Sequence, residues 1–67
     1  PNPAKETLLI TGVSHPILKV DIFDLQGKLI GQFSNSRQVN VSDLDSGIYM
    51  IRVETQLHRG VKRFVKQ

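Results

Sequence analysis

The chain has 67 residues, no cysteine and a formal net charge of +3. That length allows one small domain, burying only about 60% of its unfolded surface. Without Cys, neither a disulfide nor a thiolate metal site supports it. No apolar run approaches the roughly 18 residues of a membrane-spanning helix, and no charged-then-apolar leader is present. The first residue is Pro1 rather than a start methionine, so the chain reads as a piece of a longer protein, with any export leader on the missing part.

Pro1-Asn2-Pro3 forms an extended, semi-rigid opening, because two prolines fix φ and remove two donors. Thr7 to Gly12 reads as a first strand with Leu8 and Ile10 on one face. A loop with Ser14, His15 and Pro16 follows. Ile17 to Asp24 is the second strand, Leu18, Val20 and Ile22 alternating with Lys19, Asp21 and Phe23. Asp21 and Asp24, near Lys19 and Lys28, read as surface charges. Leu25 to Lys28 is a tight turn with Gly27 at positive φ. Lys28 to Phe33 pairs back as a hairpin, and Gly31 inside it reads as a bulge or a weak point.

Arg37 to Val41 is a short strand with Val39 and Val41 inward. Asn40-Val41-Ser42 fits a glycosylation acceptor, but on a strand edge chance explains it better. Ser42 to Gly47 is a turn with room for one helical turn, Gly47 tolerating positive φ. Ile48 to Thr55 carries the strongest strand signal, being β-branched, aromatic and apolar. Tyr49, Ile51 and Val53 share one face, with Ile48, Met50 and Arg52 opposite. Both faces are largely apolar, so a central strand covered on both sides is expected over its first half.

Gln56 to Gly60 is a loop with Gly60 as turn glycine. Val61 to Lys66 is the last strand, joined to the central one as a hairpin. Val61 and Val65 share a face with Arg63, opposite Lys62, Phe64 and Lys66. Phe64 is expected to be buried, with a twist or bulge reconciling the valines. About six short strands at spacings of roughly 8–12 residues define an all-β sandwich or small barrel. Strand exchange between copies, giving a dimer, is a hazard at this size.

Chemistry-bearing constellations are missing. His15 and His58 lie in separate loops without an acidic cluster, which makes a poor metal site. No nucleotide-binding glycine motif and no nucleophile elbow occur, so neither a cofactor nor enzymatic activity is expected. The aromatics fall in or at the ends of strands, with at least Tyr49 and Phe64 in the core rather than exposed for stacking, which argues against nucleic-acid binding. The charge is uneven. Leu57 to Gln67 carries Arg59, Lys62, Arg63 and Lys66 with no acid, whereas every Asp lies between Asp21 and Asp45. This end is either a solvated edge guarded by cations or a docking surface for an acidic partner.

Taken in order, five stretches resemble one family. They are Pro1-Asn2-Pro3-Ala4, Val20 to Ile30, Val39 to Leu44, Ser46 to Val53, and Gly60 to Gln67. The chain looks like the C-terminal sorting domain of proteins exported by the type IX secretion system of Gram-negative bacteria. The resemblance implies an immunoglobulin-like β-sandwich of about seven strands. It implies a position at the end of a cargo protein that reaches the periplasm by a signal peptide and crosses the outer membrane to the cell surface or medium. A cell-surface sortase commonly removes such a domain, which is a substrate and supplies no catalytic group. The partners implied are translocon and sortase components and an N-terminal cargo domain on the same chain.

Carried over by residue, Pro1, Asn2 and Pro3 match the family's opening motif. Gly47 and Tyr49 match its glycine-aromatic core strand. Gly60, Val61, Lys62, Phe64, Val65 and Lys66 match the terminal motif on which export depends. Lys62 and Lys66 are then charge contacts and Phe64 holds the strand. Gln56-Leu57-His58-Arg59 departs from the small polar or Asp-Gly turns common there. The competing reading is a small β-sandwich adhesion or carbohydrate-binding module.

Overall fold

The computed structural model describes residues 6–67. They form six strands and no helix: β1 (Thr7–Leu9), β2 (Lys19–Phe23), β3 (Leu29–Ser34), β4 (Gln38–Asn40), β5 (Gly47–Glu54) and β6 (Arg59–Lys66). All pairings are antiparallel. β1 pairs with β4 in a small sheet, and the others make a four-stranded sheet in the order β3-β2-β5-β6. The chain is therefore an all-β protein, a small β-sandwich.

The core lies between the two sheets. Leu8, Val39 and Val41 on one side join Ile17, Val20, Ile22, Ile51 and Phe64 on the other. Val20, Ile22, Val39 and Val41 are each at most 1% exposed. Burial of each such side chain contributes ~1.5–3 kcal/mol against chain entropy. Alternation selects them: in β2, Val20 and Ile22 face in while Asp21 faces out. Leu18 does not share that inner face as expected. It precedes β2 and is exposed, while Ile17 fills the place in the core.

The turns follow their local chemistry. Asp24 Oδ1 accepts hydrogen bonds from the Gln26 and Lys28 amides at 2.9 Å, and Gly27 takes a φ of 87°. Register then shifts between Ile22 and Phe23, whose partners are Gly31 and Leu29, so Ile30 is the extra residue of the bulge expected there. Asn40 Oδ1 accepts from the Ser42 amide and hydroxyl, closing an Asx turn after β4. The Ser42 to Gly47 stretch remains a turn, with no helical residue.

Three further expectations are corrected. β5 is central, with β2 and β6 as neighbours, but only one face is covered: Ile48 on the other is exposed, because no second layer lies over the outer side of the sheet among the described residues. Gly60 is not a turn residue. It lies in β6 opposite Val53, and the turn is built by Thr55, whose Oγ1 accepts from the Leu57 and His58 amides. No register break occurs in β6, so Val61 and Val65 stay outward and exposed.

Candidate functional site

The β5–β6 hairpin holds most of the residues singled out from the sequence. Its pairing runs without a break from Gly47 opposite Lys66 to Glu54 opposite Arg59. Gly47 opens β5 with φ of 155°, a value that side chains disfavour, and this lets the chain leave the turn directly into the sheet. Tyr49 and Phe64 face each other across the two strands on the inner side. Their rings are stacked with centroids 5.6 Å apart. Phe64 is 2% exposed and is the apolar anchor of β6.

The Tyr49 hydroxyl donates to the Asp45 carbonyl at 2.6 Å, pinning the turn to the strand it feeds. Tyr49→Phe removes that bond and keeps the ring. We expect a loss of about 1 kcal/mol and a melting temperature lower by about 4–8 °C in thermal denaturation.

The cations of β6 separate by direction. Gly60, Lys62, Phe64 and Lys66 share the inner side, while Arg59, Val61, Arg63 and Val65 face out. Lys66 is only 8% exposed, and its ammonium donates to the Gln67 carbonyl at 3.1 Å. Lys62 is exposed although it lies opposite Ile51, because β6 is the end strand of the sheet among the described residues. An inward-pointing lysine on an end strand discourages unselective strand addition there. Arg59 approaches Glu54 at 3.9 Å in an exposed pair that contributes little. Among the described residues, Lys62 and Arg63 have no ion-pair partner.

A second polar constellation was missed from the sequence. Asp21 is not a surface charge: it is 1% exposed at the middle of the sheet's outer face. Register places it between Gln32 on β3 and Arg52 on β5. Gln32 donates to its Oδ1 at 3.1 Å, and Arg52 donates to Oδ2 through Nε at 3.1 Å and Nη2 at 2.7 Å. Lys19 adds a longer contact at 3.8 Å. The Arg52 guanidinium also lies over the Phe23 ring, 5.1 Å from its centroid. Burial alone would push the Asp21 carboxyl up. The hydrogen bonds from Arg52 and Gln32, with the Lys19 and Arg52 charges, outweigh it and hold the carboxyl below its ordinary value. Asp24, by contrast, caps the β2–β3 turn and does stand near the surface.

Pro1, Asn2 and Pro3 lie outside the described residues. His15 and His58 are both exposed, and the His15 ring contacts the Ser14 hydroxyl at 3.2 Å. Among the described residues no three His, Asp or Glu side chains converge as metal ligands.

The geometry defines a small β-sandwich whose distinctive surface is a basic hairpin at the end of the sheet. The chain belongs to the secretion system C-terminal sorting domain family, whose sequence model matches residues 1–67, the whole chain. It is thus a C-terminal sorting domain of type IX secretion, a family of signals for secretion or export to the cell surface. The adhesion or carbohydrate-binding alternative draws no support from this match. Comparison with curated proteins and with solved structures finds no significant match.

Proposed function

We propose that this domain directs a cargo protein, carried N-terminal to it on the same chain, from the periplasm across the outer membrane. The type IX translocon reads the β5–β6 hairpin, and a cell-surface sortase then removes the domain. What supports this reading is the family match over residues 1–67, together with the end-strand position of Gly60 to Lys66, the stretch that resembles the family's terminal motif. Exposed Lys62 supplies the charge contact, and backbone pairing along Gly60 to Arg63 supplies register. Phe64 and Lys66 are buried and supply no such contact; Phe64 instead holds the strand in position. The domain itself is a substrate in this scheme and contributes no catalytic group.

The test fuses Pro1–Gln67 to the C-terminus of a fluorescent protein carrying a periplasmic signal peptide. The host has the type IX machinery, and a translocon-deficient strain serves as control. Surface or extracellular fluorescence is expected in the first strain only. Intact fusion retained in the periplasm of both strains would overturn the sorting role. Deleting Val65–Gln67 is expected to abolish export while β2, β3 and the small sheet stay folded. A truncated fusion that still reaches the surface sinks the hairpin as the element that is read.

A further inference from the structure

The outer face of the four-stranded sheet divides into two unlike halves. One half is polar, built on the Asp21–Arg52 pair with Lys19, Glu54 and Arg59. In the other, register sets Leu29 beside Phe23, Phe23 beside Met50 and Ile48 beside Val65. Leu29 and Ile48 are 44% and 43% exposed, and Val61 across from Arg52 is 55% exposed. Side chains of this size clustered in the open mark a contact surface more often than a chance arrangement.

Arg63 stands within this apolar half. It lies opposite Met50 and between Val61 and Val65 on its own strand. The carboxylates on the outer face, Asp21 and Glu54, are engaged by Arg52, Lys19 and Arg59. Arg63 therefore stands among apolar neighbours with no acid to meet it among the described residues.

We propose that this half-face is a docking surface for a partner protein that presents a carboxylate among apolar side chains, the carboxylate pairing with Arg63. The proposal concerns the outer face and does not depend on the sorting role. A planar guanidinium takes a carboxylate in two parallel hydrogen bonds, and the surrounding aliphatic groups exclude water from them. A lipid surface fits less well. Anionic headgroups are held by spread clusters of about 4–8 basic residues, whereas three of the four outer-face cations here are already paired. A second copy fits less well too, since two chains of net charge +3 would bring their Arg63 side chains toward one another.

The test places the photo-crosslinker p-benzoylphenylalanine at Val61 of the fluorescent fusion and irradiates intact cells carrying the type IX machinery. One protein adduct is expected, its crosslinked peptide holding Asp or Glu beside apolar residues. Arg63→Glu should weaken that adduct by about tenfold or more, and Arg63→Lys by less. The melting temperature of Arg63→Glu is measured alongside and should match the parent, since the residue is exposed. An adduct between two copies, an adduct indifferent to Arg63→Glu, or no adduct would each overturn the proposal. So would binding of the purified chain to phosphatidylglycerol vesicles with the same dependence on Arg63. Export of the fusion with Arg63 intact is read in the same cells: no export although the adduct forms counts against the sorting role alone, and an adduct lost in Arg63→Glu with export intact supports the docking surface and leaves that role standing.

Discussion

Replacing Arg52 by methionine is expected to cost about 3 kcal/mol, the low end for removing one member of a buried ion pair, because Arg52 is itself a third exposed. A chain of this length has a total stability of roughly 3–10 kcal/mol, so the variant should be largely unfolded at moderate denaturant. The cost arises at Asp21, not at Arg52. Its side chain is 2% exposed and cannot turn to water, while Gln32 and the more distant Lys19 cannot replace two charge-assisted bonds. Asp21→Asn should cost less, since the arginine left behind can turn outward. Asp21→Leu combined with Arg52→Met should recover much of the loss, as apolar replacement of a buried pair usually does.

The pH dependence separates this account from a mere loss of packing. In the native chain the Asp21 carboxyl is held below its ordinary value, so the unfolded state binds the proton more readily. Its contribution to stability is fully present above the unfolded value near 4 and is lost as pH falls through the folded value. In Arg52→Met the largest lowering contact is gone and the carboxyl moves up toward its ordinary value or beyond it. From about pH 5 downward the variant should therefore lose less stability than the parent. Urea unfolding followed by circular dichroism across this range checks the point. Parallel pH profiles for the two proteins would remove Asp21 as the origin.

The Asp21 cluster also shows where reading from sequence stops. Alternation placed Val20 and Ile22 inward and Asp21 outward, and an outward aspartate beside a lysine reads as solvated. Its burial depends on β3 and β5 arriving on either side in a register that sets Gln32 and Arg52 across from it. No local signal carries that pairing. The same limit explains Ile48 and the β6 valines: an apolar face is legible, but whether a layer covers it is a fact of the whole sheet. Gly60 had the residue type of a turn and the position of a strand, and Thr55 took the turn through its hydroxyl.

Features set by neighbours in the chain were legible. Gly27 and Gly47 take the positive φ expected, the bulge sits beside Gly31, and Val39, Val41 and Phe64 are buried. The family was legible through the ordered likeness of five stretches to it. The different placements of Lys62 and Lys66 were not, because both share one strand face and only distance along the end strand separates them.

Phe64→Ala should have the largest effect of any change in β6. Truncating a buried aromatic ring costs about 3–5 kcal/mol, comparable to the whole stability of so small a domain. The effect should also be local first. Of the four inward positions of β6, Gly60 has no side chain and Lys62 is exposed, while Lys66 ends in an ammonium. One ring against Tyr49 therefore fixes an eight-residue strand to the core. Without it, the ladder to β5 remains possible but is no longer backed by apolar burial, and strand opening falls well below the free energy of global unfolding. Native-state hydrogen exchange should show amide protection lost across β6 while β2 keeps more of its own. Phe64→Leu, which retains most of the apolar volume, should restore β6 protection in part. Equal protection of β6 and β2 in Phe64→Ala would mean that the ladder, not the ring, holds the strand. The export fusion carrying Phe64→Ala should then be exported normally, whereas an anchor role requires export to fall together with β6 protection and to return in part with leucine.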